Sequence, residues 1–165
     1  MLFVILLGGR HPKAKIEVHD VVFVNAQNLE GTFDDLRQEW FGDQNGLHID
    51  SWMQVDGVEG WRVEFSDLAP ASGGPHLYFI NVGGYDSKAF GEAHDYMLLV
   101  ANSKAEAHAK SKQMMSDRWS ERHTDAIFDV DDCLPVFSVS GRYINLVKGD
   151  SRGVLRFNKY IVIPR

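Results

Sequence analysis

Two short elements, Glu17-x-His19-Asp20 and Glu92-x-His94-Asp95, hold the side chains best suited to chemistry. His48-x-Asp50 and His123-x-Asp125 add two more histidine–carboxylate pairs at i, i+2 spacing. Side chains alternate along an extended chain, so Glu and His of each first element share one face and the following Asp takes the other. A Glu/His pair meeting a His/Asp pair would supply nitrogen and oxygen donors for a metal. The same meeting would set an imidazole beside a carboxylate for acid/base work. The plainer alternative is that a His-Asp step entering a strand satisfies loop backbone groups through its side chains.

Each element follows a glycine pair and a lysine: Gly8, Gly9 and Lys13 in one case, Gly83, Gly84 and Lys88 in the other. Paired glycines can turn backbone N–H groups toward an anion, and the lysine would add charge. Here, however, the loop leads into a strand rather than a helix, and neither GxxxxGK[ST] nor GxGxxG occurs. The expectation is therefore a turn in which glycine supplies a positive φ. Asp125, Asp129, Asp131 and Asp132 lack the glycine and terminal Glu of an EF-hand loop and read as a solvated strand end. Cys133 has no CxxC partner, and no GxSxG is present. Trp40, Trp52, Trp61 and Trp119 read as packing residues, and the basic C-terminal segment with Arg152, Arg156, Lys159 and Arg165 reads as a protected edge strand.

The elements that must position these groups recur. A shift of 75 positions lays residues 2–20 over 77–95 with nine of nineteen identical, including both glycines, Glu, His and Asp. The same shift aligns His48 with His123 and Asp50 with Asp125. Each copy reads as an apolar strand (Leu2–Leu7; Leu77–Val82), a loop, a second strand, a helix and further strands. Leu29, Phe33, Leu36 and Trp40 mark the first helix, and Ser103 with Glu106 forms a capping box for the second. Asp56-Gly57 reads as a hairpin turn before Trp61–Phe65. The expected fold is α+β: two tandem ββαββ, β-grasp-like repeats, each with one helix on a mixed sheet. The first spans 1–67, a Pro/Gly/Ser-rich linker spans 68–76, and the second spans 77–165 with a C-terminal strand extension.

The doubled segment, LGGRHPKAKIEVHD and VGGYDSKAFGEAHD, resembles the domain of unknown function 1543 family. The resemblance implies a small bacterial protein carrying this domain in one or two copies, and it brings no activity, substrate or cofactor with it. The second copy departs in its loop, with Tyr85-Asp86-Ser87 where the first has Arg10-His11-Pro12.

Composition narrows the remaining classes. The 165 residues carry a net charge of −6 with 44% hydrophobic residues, which fits a globular chain and disfavours nucleic acid or anionic membranes as partners. Leu2–Leu7 is too short to span a bilayer and lacks the basic leader of a signal peptide, so a cytoplasmic location is expected. One cysteine excludes an internal disulfide framework. The leading expectation is a non-catalytic binding or protein-interaction module, with a homo-oligomer or protein partner engaged through sheet edges. The alternative is a small-ligand or metal-binding enzyme using Gly8, Gly9, Lys13, Glu17, His19, Asp20, His48 and Asp50. Its second-copy counterparts are Gly83, Gly84, Lys88, Glu92, His94, Asp95, His123 and Asp125. No cofactor is assigned.

Overall fold

The structure is a computed structural model and describes residues 1–85, 90–119 and 127–164. In chain order its elements are β1 (Leu2–Gly9), β2 (Val18–Asn25), α1 (Phe33–Glu39), β3 (His48–Val55), β4 (Gly57–Val58), β5 (Trp61–Ser66), β6 (His76–Tyr85), β7 (Glu92–Ala101), α2 (Lys104–Trp119), β8 (Ile127–Pro135), β9 (Ser138–Val139), β10 (Arg142–Lys148) and β11 (Val154–Val162). Strand β1 is apolar and buried along most of its length, the pattern of a strand covered on both faces. It lies inside a sheet of order β11-β3-β1-β2. Strand β6 has the same character and lies between β7 and β8 in a second sheet. A third sheet of order β4-β5-β10-β9 joins the β4–β5 hairpin in the middle of the chain to the later β9–β10 hairpin.

Alternation along the central strands separates three cores. Phe3, Ile5 and Leu7 face Leu36 and Trp40 on the α1 side. Tyr78, Ile80 and Val82 pack with Ala107 and Met115 of α2. The opposite faces, through Leu2, Val4, Leu77 and Phe79, share a central core with Val58, Val139 and Ile144 of the hairpin sheet. Helix α2 is capped as its sequence suggests: Ser103 Oγ accepts the Glu106 N–H, and the Glu106 carboxylate accepts the Asn102 N–H. The first helix is shorter than its apolar spacing suggests. A 3-10 turn occupies Glu30–Thr32, and Trp40 is already extended. No described helix is long and apolar enough to cross a membrane.

The expected β-grasp-like fold is overturned. The chain is mostly β; its described residues form three antiparallel sheets and no mixed sheet, and they do not form two ββαββ units. The reason lies in where the later strands pair. Strand β5 joins β10 of the other hairpin instead of its own half's sheet, and β11 returns to pair with β3. The expected turn at Asp56-Gly57 is displaced as well. Gly57 begins β4, and the tight turn falls at Glu59-Gly60 with φ of +51° and +79°. Ser140-Gly141 repeats it at +50° and +75°. Two left-handed residues in succession are what a type I′ hairpin turn needs.

Asp56 anchors the entry to β11. Its carboxylate accepts the Arg152 N–H at 2.7 Å, and its own N–H donates to the Gly153 carbonyl. The Arg152 backbone bond, reinforced by the Arg152 charge, holds the Asp56 pKa below the usual aspartate value. A carboxyl depressed in the folded state stabilises it above the unfolded pKa, and that contribution is lost as pH falls through the folded value. Asp56→Asn is therefore expected to lower the melting temperature at pH 7 and to have a vanishing effect below the folded Asp56 pKa. Paired thermal melts of wild type and variant across acidic pH check this.

Candidate functional site

Strand register brings four of the chemistry-bearing residues together. Gly8 of β1 is paired with His19 of β2 on one side and His48 of β3 on the other. Directly paired residues project to the same face, so the two imidazoles flank a residue that has no side chain. Glu17 sits two positions before His19 and shares its face. Asp50 arrives differently. The β1–β3 register shifts between Leu6 and Leu7, leaving Asp50 as the extra residue of a bulge, and a bulge re-aims a side chain.

The four side chains form a ring of alternating imidazole and carboxylate. His48 Nε2 lies 3.2 Å from Glu17 Oε1 and 3.4 Å from Asp50 Oδ1. His19 Nε2 lies 3.2 Å from Asp50 Oδ2 and 4.0 Å from Glu17 Oε2. The His48 side chain is only 3% exposed, whereas Glu17 and His19 are nearly half exposed, so the ring has a buried floor and an open mouth. On its far side, His48 Nδ1 is 2.8 Å from the Gly46 carbonyl. A carbonyl only accepts, so Nδ1 carries the hydrogen and Nε2 is the nitrogen turned to the ring. Tyr160 of β11 covers His48, with ring centroids 4.4 Å apart.

Gly8 makes this convergence possible. A Cβ at that position would collide with His48 Nε2 and lie 2.8 Å from Asp50 Oδ2. Gly8 and Gly9 are strand residues and neither has a positive φ, so the expected glycine turn is not what the pair provides. Gly9 instead makes room for the Trp40 ring, whose Cζ2 would be 2.8 Å from a Cβ there.

The second half repeats the frame with different occupants. Gly83 is paired with His94 on β7 and with Asp129 on β8. The β6–β8 register shifts between Asn81 and Val82, which makes Asp131 the bulged residue. Glu92, His94 and Asp131 each offer one donor atom within 4.8 Å of the others, and a Cβ on Gly83 would overlap both carboxylates. His94 Nδ1 lies 3.4 Å from Asp131 Oδ2 and 3.1 Å from Asn81 Oδ1. Register thus sets Asp129 and Asp131, not residues 75 positions on, in the places of His48 and Asp50. Asp129 turns outward to Lys112 at 2.9 Å, and that lysine holds its pKa low.

Other candidates fall elsewhere. Asp20 and Asp95 project to the opposite face and accept the N–H of the next residue, Val21 and Tyr96. Lys13 is exposed in the turn after β1 and pairs with none of the ring. Gly84 is a strand residue paired with Ala93 and Phe128. Lys88, His123 and Asp125 lie outside the described residues. Sequence reasoning missed Gly46 and Tyr160, and it read Asp131 as part of a solvated strand end. A second shift of 81 positions after the helix, which aligns Ile49 with Val130 and Asp50 with Asp131, would have found the bulge acid.

The fold and ring define a β-rich chain with a histidine–carboxylate cluster on the face of its first sheet. Residues 14–65 match the family model described as Domain of Unknown Function (DUF1543), and the chain belongs to that family. The matched segment contains all four ring residues. The chain is also similar to the crystal structure of a protein Il1583 from Idiomarina loihiensis, with 33% identity, a TM-score of 0.71, and coverage of 99% of this chain and 97% of that one. No curated protein matches.

Because the Gly8 backbone does not require glycine, Gly8→Ala tests the close approach alone. It is expected to keep cooperative unfolding at a cost of about 1–3 kcal/mol, typical of an overpacked site. The imidazole NMR signals of His19 and His48 should move, while amide signals of β6 and β7 stay in place.

Proposed function

We propose that this chain is a non-catalytic divalent-cation-binding module whose principal site is Glu17, His19, His48 and Asp50. The observation that carries the reading is the buried His48. Its Nδ1–H is committed to the Gly46 carbonyl, and its Nε2 faces two carboxylate oxygens. A neutral nitrogen lone pair against two carboxylates brings three acceptors together, so a proton or a cation must sit among them. A backbone carbonyl orienting the far ring nitrogen is also the usual outer support of a metal-bound histidine. Neighbouring donors around the ring are 3.2–4.0 Å apart. A tetrahedral shell with bonds of about 2.1 Å has every edge near ~3.4 Å. The ring contacts use both oxygens of each carboxylate, so a bound cation would have to draw the opposite donors together across the ring. Two imidazoles and two carboxylates suit zinc and similar borderline cations better than magnesium or calcium.

Recurrence supports the reading. We take residues 1–67 and 77–165, joined by 68–76, as duplicated copies, because glycine floor, Glu, His and bulge Asp return in the same register. The second set, Glu92, His94 and Asp131, lacks a counterpart of the buried His48 and is the weaker site.

Chelator-stripped protein titrated with Zn²⁺ and Co²⁺ by calorimetry tests this. One tight event is expected, with visible Co²⁺ absorption bands, followed by a weaker event abolished by His94→Ala. His48→Ala should weaken the tight event at least about a hundred-fold, beyond the ~10–100-fold loss typical of outer supports. The exposed, isosteric Glu17→Gln should weaken it without unfolding the chain. Metal uptake should release protons, because an imidazole ligand binds through a deprotonated nitrogen. Absence of binding, or binding indifferent to His48 and Glu17, overturns the reading.

A further inference from the structure

The ring shares its sheet face with a cavity of about 230 Å³. Leu6, two residues before Gly8 on β1, and Val21, two residues after His19 on β2, both line it. The cavity thus begins about 7 Å from the ring, at ~3.4 Å per strand residue. Its two sides differ in chemistry. Phe79 of β6 and Tyr96 of β7 close it with aromatic rings stacked at 5.7 Å. The facing side carries Ser51 of β3 paired across to Asn158 of β11, with Arg156 two residues away on the same face of β11. The Arg156 guanidinium donates to the Tyr96 carbonyl at 3.1 Å, bridging β11 to β7 and keeping further N–H groups to offer.

We propose that this cavity binds a small amphipathic monocarboxylate, its apolar body between Leu6, Val21 and Phe79 and its carboxylate on Arg156. Aliphatic and aromatic walls with a few convergent polar groups are what small-molecule sites present. A guanidinium fork matches a carboxylate in both charge and geometry. At about 30 Å³ per water-sized group the space holds roughly eight non-hydrogen atoms, the size of a six-carbon acid. Neighbouring donors make this an organic-ligand site beside the cation site, and its evidence is independent of that site.

The test uses hexanoate and hexan-1-ol with chelator-stripped protein, followed by two-dimensional NMR. Hexanoate is expected to saturate with a dissociation constant on the order of 1 mM or tighter, shifting signals of Leu6, Val21 and Phe79. Arg156→Gln should weaken hexanoate about ten-fold or more and leave the alcohol nearly unchanged. Leu6→Phe, which fills the space, should weaken both. No saturable shift up to about 20 mM, shifts elsewhere, or hexanoate binding indifferent to both variants would overturn the proposal. Because no metal is present, failure here leaves the cation reading intact, and a failed cation titration leaves this one intact.

Discussion

The missing side chain at Gly8 is the constraint on which the candidate site depends. Strand β1 is flanked by β2 and β3, so any residue near its end stands between two others on the same face. With a Cβ at Gly8, the His48 ring and the Asp50 carboxylate would have to move away from the strand. Without it, the side chains from both neighbours lean over the bare backbone until their nitrogen and oxygen atoms meet. The cost is modest, because Gly in a strand weakens it by only a fraction of a kcal/mol to about 1 kcal/mol and β1 is buried elsewhere along its length.

Two further features hold the ring in place. The bulge at Asp50 lets both Asp50 and the following Ser51 face the ring's side of the sheet. Strand β11 then lies outside β3, where Tyr160 covers His48 and Arg156 reaches across to β7. The strand that spoils a simple two-repeat architecture is thus the one that buries the floor of the ring and walls the cavity. Pairing it with β3 also spares that strand an exposed edge.

Much of this was legible in local pattern. The buried strands, the alternation that sets Glu17 and His19 on one face and Asp20 on the other, and the Ser103 cap follow from short-range rules. The sheet partners did not follow, because β5–β10 and β11–β3 pairings join residues distant in sequence and no local propensity encodes them. The place of Asp131 was hidden for a related reason. Helix α2 is longer than α1, so the two strand frames fall out of step by six residues beyond it, and a constant shift of 75 points to His123 and Asp125 instead. The glycines were misread because a pair after an apolar run suggests a turn, whereas the need for them comes from side chains on neighbouring strands.

The two halves put one backbone frame to different uses. In the first, Leu6 opposite Ser51 leaves an apolar space behind the ring. In the second, the corresponding pair is Asn81 opposite Asp132, and the two side chains bond to each other at 3.1 Å. Asn81 also meets His94 at 3.1 Å, so a polar chain runs where the first half has a cavity. A hydrogen-bonded chain of this kind orients His94 and ties its carboxamide and carboxylate partners to one another. Replacement of Leu6 by Asn81, and of the buried His48 by the outward-turned Asp129, therefore act in the same direction. Both put a polar side chain where the first half has an apolar or a buried one, while the strands that frame these positions keep their register.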